Sequence, residues 1–140
     1  MTLRFAKMQV DAYSPARKHS TDAGVDVYAL EGYFIDPHCC AKVHTGITFE
    51  IGPGWMLLAK PKSGSDFLVG AGVIDPGYQG EIIIKVVNYS DDAIIIRQGD
   101  AVAQLVQVPI LTDALEEVPF DEINQEATPR GADGGIVRQG

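Results

Sequence analysis

Nowhere does the hydrophobic pattern of this chain sustain the 3.6-residue period of a surface helix. Short β-branched runs take its place, each broken after a few residues by Gly, Pro or Asp. That punctuation predicts strands at Leu3–Val10, Val25–Ala29, Tyr33–Ile35, Thr45–Ile51, Trp55–Ala59, Glu81–Asn88, Ala93–Ile96 and Ala101–Pro109. The interruptions carry turn chemistry: Asp36-Pro37, Gly52-Pro53-Gly54, Asp75-Pro76-Gly77 and Gln98-Gly99-Asp100. Many short strands at near-even spacing, with no internal repeat, predict an all-β, jelly-roll-like sandwich.

Two runs depart from strict alternation, Ile82-Ile83-Ile84 and Ile94-Ile95-Ile96. A strand apolar on both sides is covered on both faces, either deep in the core or against another subunit, and the pattern leaves both readings open. The 140 residues fit one domain with a core of its own. Residues 1–126 read as the β domain and 127–140 as a Gly-rich arm. Such a tail is either a frayed terminus or a lid whose glycine amides and Arg130 suit a phosphate.

The net charge of −8 lacks the electrostatic footprint of a nucleic-acid binder, although local cations, amides or a metal ion still allow a free nucleotide. Met1–Val10 is charged and has no long apolar run, so neither a signal peptide nor a membrane span is expected, and a cytoplasmic location is the default. Cys39 and Cys40 are adjacent, a strained arrangement for a mutual bridge. With only His38 beside them they read as reduced thiols on or next to a strand rather than metal ligands.

Five segments in order carry a more specific signal: Asp22-Ala23-Gly24-Val25-Asp26-Val27-Tyr28-Ala29; Pro61-Lys62-Ser63-Gly64; Gly70-Ala71-Gly72-Val73-Ile74-Asp75-Pro76-Gly77-Tyr78-Gln79-Gly80-Glu81; Gln98-Gly99-Asp100-Ala101-Val102-Ala103-Gln104-Leu105; and Arg130-Gly131-Ala132-Asp133-Gly134-Gly135-Ile136. Together they resemble the five motifs of trimeric dUTPases, the third segment most closely. The resemblance implies a β-clip form of the jelly roll, a homotrimer with sites at subunit interfaces, and hydrolysis of dUTP to dUMP and pyrophosphate. That reaction clears dUTP from the nucleotide pool and supplies dUMP for thymidylate synthesis.

The resemblance also implies roles. Asp75 would activate the attacking water, since an aspartate carboxylate is ionised at neutral pH. Asp75-Pro76-Gly77-Tyr78 is equally a good turn on local chemistry alone. Tyr78 would lie against the deoxyribose and leave no room for a 2′-hydroxyl. Main-chain groups of a hairpin at Gly70, Ala71, Gly72, Val73 and Ile74, with the region of Ile83, would pair with uracil. Lys62, Ser63, Gly64 and Arg130 would meet the phosphates, and Gln104 would contact the substrate. Asp26 and Gln104 would hold waters around Mg²⁺, the expected cofactor.

The chain departs from the family pattern in places. Lys62 replaces the usual Arg, a point charge instead of a bidentate fork. The stretch from Ser63 to Gly70 is short. Ile136 stands where an aromatic covers the base, and an extra residue precedes the glycine pair. The rival on the same fold, dCTP deaminase, needs a carboxylate where Lys85 stands. A nucleotide-binding protein without catalysis is the rival of another class; Lys62 and the altered arm favour it and Asp75 opposes it.

Overall fold

The computed structural model describes residues 1–70 and 72–123. Eleven strands and one short 3₁₀ turn (Phe120–Glu122) make up its regular structure. In chain order these are β1 (Phe5–Lys7), β2 (Gly24–Tyr28), β3 (Tyr33–Ile35), β4 (Cys40–His44), β5 (Ile47–Phe49), β6 (Trp55–Lys60), β7 (Leu68–Val69), β8 (Gly72–Ile74), β9 (Ile83–Val87), β10 (Ile94–Ile96) and β11 (Ala101–Pro109). All pairings are antiparallel. A four-stranded sheet runs β2-β11-β6-β8, a three-stranded one β4-β9-β7, and β1-β5 and β10-β3 are two-stranded ribbons. The fold is the expected all-β, jelly-roll-like one.

Alternation builds the core. Val25 and Val27 on β2, Leu57 and Ala59 on β6, Ile84 and Val86 on β9, and Val102 and Leu105 on β11 are all buried. A single cluster joins these strands, except for Val25, to Ile35, Val43, Ile47 and Ile96 from the smaller sheets. Asn88 is buried among them and fully bonded. Its Nδ2 donates to the carbonyls of Ile35 (3.1 Å), Asp36 (3.1 Å) and Asp92 (2.9 Å), while Oδ1 accepts from the amide (3.0 Å) and hydroxyl (2.7 Å) of Ser90. One side chain thus ties the end of β3 at Ile35 and the loop residue Asp36 to Asp92 in the loop before β10.

Four expectations are corrected. Cys40–His44 is a strand that was not foreseen, because CAKVH alternates only weakly. Leu68–Val69 and Gly72–Ile74 are also strands, and they do not form a hairpin with each other: β7 pairs with β9, and β8 with β6. The Gly-rich segment therefore passes from one sheet to the other. The first strand covers only Phe5–Lys7 of the expected Leu3–Val10. Finally, the isoleucine runs alternate after all, and neither lies deep in the core on both sides. Ile82 and Ile84 are buried while Ile83 is 42% exposed, and Ile94 and Ile96 are buried while Ile95 is 60% exposed.

Cys39 and Cys40 are exposed free thiols, Cys40 on β4 and Cys39 beside it, as expected. Among the described residues no helix is long and apolar enough to cross a membrane. Ala71 and the arm of residues 127–140, with Arg130 and Ile136, lie outside the described residues.

Candidate active site

The loop that follows β8 begins as a tight turn. The amide of Tyr78 donates to the carbonyl of Asp75 at 3.2 Å, and Gly77 has φ 81°, the left-handed geometry that a type II turn requires of its third residue, with Pro76 in the second place that such turns favour. The amide of Gly77 donates to Ile51 at 3.0 Å and ties the turn to the body. Asp75 and Tyr78 thus stand at the two ends of one turn, both exposed, and they line a single cavity of about 290 Å³ with Gly72, Val73, Ile74, Glu81, Ile82 and Ile83. The β8 backbone forms one wall and the start of β9 the other. An apolar slot with few polar groups is the usual form of a small-molecule site. Gly70 and Gly72 border a second hollow of about 340 Å³ with Ile74, Ile83 and Lys85.

A second group assembles at one end of the large sheet. Asp26 on β2, Gln104 on β11 and Lys60 on β6 share one rung. Just beyond it Lys62 turns back, and its Nζ lies 2.6 Å from Asp26 Oδ1. Gln104 donates from Nε2 to the carbonyl of Pro61 at 3.0 Å. Three residues singled out in the sequence, distant in the chain, are therefore neighbours in space. Ser63 and Gly64 follow on an exposed turn closed by the Ser65 amide on Lys62 O at 3.1 Å. None of these residues lines the cavity of Asp75; Gly64 lines another one, of about 390 Å³, with Phe67, Ile95 and Asp100.

Lys85, the residue that separates this chain from the deaminase pattern, lies on β9 with its stem against Gly70, where an added Cβ would come 3.3 Å from that of Lys85. Among the described residues no group of three or more His, Cys, Asp or Glu is arranged to hold a metal ion.

Sequence reasoning missed His44 and Glu81. Glu81 Oε1 lies 2.9 Å from His44 Nδ1, and Oε2 accepts from the Gly46 amide at 2.8 Å. Burial alone raises the carboxyl's pKa, but these bonds outweigh it and hold Glu81 below the ordinary glutamate value of 4.5. No local pattern could have found a pair 37 residues apart.

Comparison with known proteins finds similarity along nearly the whole chain. The dUTPase family profile matches residues 11–135. A deoxyuridine 5′-triphosphate nucleotidohydrolase of Picosynechococcus is 35% identical over 140 residues, covering 96% of both chains. One from Mycolicibacterium vanbaalenii is 39% identical over 142 residues, covering 96% of this chain and 92% of the relative. A Staphylococcus bacteriophage 80alpha dUTPase structure with dUpNHpp superposes with a TM-score of 0.82 at 27% identity, covering 94% of each chain. A mutant dUTPase from phage phi11 of S. aureus, solved with a structural Mg(II) ion, gives 0.79 at 28% identity, covering 84% of this chain and 97% of that one.

Proposed function

Because the chain belongs to the dUTPase family, we infer that it hydrolyses dUTP to dUMP and pyrophosphate, with the reacting end of the nucleotide at the cavity between β8 and β9. The observation that carries the reading is the turn that sets Asp75 and Tyr78 at the rim of one slot. Asp75 orients a water and takes its proton as the water oxygen bonds to the α-phosphorus. The bond from that phosphorus to the bridging oxygen breaks, and pyrophosphate leaves. Tyr78 lies against the deoxyribose and excludes a 2′-hydroxyl. The backbone of Gly70 to Ile74 and the region of Ile83 pair with the uracil edge.

Lys62, Ser63, Gly64 and Gln104 serve the phosphate chain, and Arg130 and Ile136 of the arm close over the nucleotide. Mg²⁺ fits this donor set as an ion carried by phosphates and water: Asp26 and Gln104 are hard oxygen-bearing groups, too few to cage a cation yet suited to its water shell. Bound there, the ion would neutralise phosphate charge.

The active form proposed is a homotrimer. Lys62 to Gly64 lie away from the cavity of their own Asp75, which fits a site completed by a neighbouring copy. The segment after β11 leaves the body with Leu111, Leu115 and Phe120 exposed. On the β3–β10 ribbon Phe34 and Ile95 are register partners, 68% and 60% exposed. An apolar surface of this kind calls for cover.

The test is direct. With dUTP and Mg²⁺ the protein should release pyrophosphate, and with dCTP it should release no ammonia. Nucleotide binding without pyrophosphate would leave the non-catalytic reading in its place.

A further inference from the structure

Tyr78 is held at two points. Its hydroxyl donates to the backbone carbonyl of Glu81 at 2.8 Å. Its ring lies over Gly80, where any Cβ would come within 2.5 Å of the hydroxyl oxygen and 2.7 Å of Cζ. The ring's place therefore depends on where the backbone of Gly80 and Glu81 sits.

That backbone is anchored from the side by the strand segment around His44. The Glu81 carboxylate spans the His44 ring (2.9 Å) and the Gly46 amide (2.8 Å). The next residue is clamped to the same segment: the Ile82 amide donates to Ile47 at 2.8 Å, and the Thr45 hydroxyl donates to Ile82 O at 2.6 Å. His44 is fixed in turn, its amide donating to the Tyr33 hydroxyl at 3.0 Å, and that hydroxyl donates to Glu31 at 3.2 Å. Of these bonds, only those of Glu81 reach both the anchor and the tyrosine, one through its side chain and the other through its carbonyl.

We propose that Glu81 is a positioning residue for sugar selection: its carboxylate, held by His44 and Gly46, fixes the carbonyl that receives the Tyr78 hydroxyl, and so sets how firmly the ring excludes a 2′-hydroxyl. The proposal rests on the dUTPase reading above. Glu81 acts through Tyr78, so its loss bears on substrate choice more than on the chemical step at Asp75. A plain structural brace would lower stability and leave substrate choice alone.

The experiment measures kcat and KM for dUTP and UTP, with Mg²⁺, in the unmodified protein and in Glu81→Ala, Glu81→Gln, Tyr78→Phe and the double variant Glu81→Ala/Tyr78→Phe. Each is assayed well below its own unfolding temperature, with His44→Ala as a milder probe should Glu81→Ala fold poorly. Glu81→Ala should raise KM for dUTP and narrow the dUTP/UTP ratio of kcat/KM by about tenfold, with kcat for dUTP falling less. Tyr78→Phe should do the same, and the double variant should be no worse than the poorer single, since both break one linkage. Glu81→Gln, which keeps one acceptor oxygen, should restore part of the ratio. A lower unfolding temperature with an unchanged ratio, or additive losses in the double variant, would overturn the proposal and leave the dUTPase reading standing. Failure of the unmodified protein to cleave dUTP would overturn both.

Discussion

Lys62 and Asp26 are paired across the end of the large sheet, Nζ to Oδ1 at 2.6 Å, although the family resemblance assigns one to phosphate and the other to the waters of a metal. The pair is half-buried, with side-chain exposures of 30% and 14%, so the two charges interact more strongly than surface ions do. Under the proposed roles, phosphate at Lys62 and a hydrated Mg²⁺ at Asp26 would compete with this contact, and each residue would bear on the other's ligand.

The pairing makes a first prediction. Lys62→Ala should raise KM for dUTP by about tenfold, the scale of one charge-assisted contact. Lys62→Arg should bind dUTP at least as well as Lys, because a guanidinium can grip two oxygens. Asp26→Asn should raise the Mg²⁺ concentration needed for half-maximal turnover. Steady-state kinetics across a Mg²⁺ titration checks all three, and an unchanged KM in Lys62→Ala would remove Lys62 from the phosphate site.

Asp75 is exposed at the first corner of its turn, free to face a bound water. Asp75→Asn keeps size and shape and removes the proposed base. Nucleotide binding should persist while kcat falls by about 10²–10⁴-fold. Titration with a non-hydrolysable analogue, beside pyrophosphate release, separates the two. Near-native turnover in the Asn variant would rule out the assignment.

The exposed Ile83, Ile95 and Phe34, with the bare segment after β11, predict assembly. Sedimentation or light scattering should give roughly three times 15.1 kDa. A monomer that still turns over dUTP would refute the trimer.

Glu81 predicts the acid limit of the fold. Its bonds to Gly46 and His44 hold the folded pKa below the unfolded one, so the folded state binds the proton less tightly. The stability this contributes is fully present above the ordinary value of 4.5 and is lost as pH falls through the folded pKa. Thermal unfolding from pH 7 down to pH 3 should therefore show a smaller acid-induced drop in Glu81→Gln than in the unmodified protein. Parallel curves would show that the carboxylate contributes nothing to the acid transition.

Asn88 should matter to stability alone. Replacing it with Ala removes three donated bonds, to the carbonyls of Ile35, Asp36 and Asp92, and leaves a gap at a fully buried position; the Ile35 carbonyl is on a buried residue, and a buried acceptor left unpaired costs about 1–3 kcal/mol. Water admitted to the new space would recover part of that, so a net loss on the order of 3 kcal/mol is expected in denaturant unfolding. A change below about 1 kcal/mol would show that the amide is replaceable.

The sequence by itself determined the all-β class, the turns and the family. Turn chemistry is local: Pro at one position and Gly at the next specify Asp75–Tyr78 whatever surrounds them. Alternation likewise marked β2, β6 and β11, because a strand with one buried face records its period in its own residues. Tertiary structure decided the rest. The strands Leu68–Val69 and Gly72–Ile74 are too short to carry a period, and their pairing with different sheets depends on β9 and β6 being in place. The exposure of Ile83 and Ile95 could not be read from runs of identical residues, since apolar character does not say which faces the sheet covers. The contacts of Lys62 with Asp26 and of Glu81 with His44 join residues 36 and 37 positions apart. Such contacts arise only when strand register brings distant segments together, and a one-residue slip would send each side chain to the opposite face.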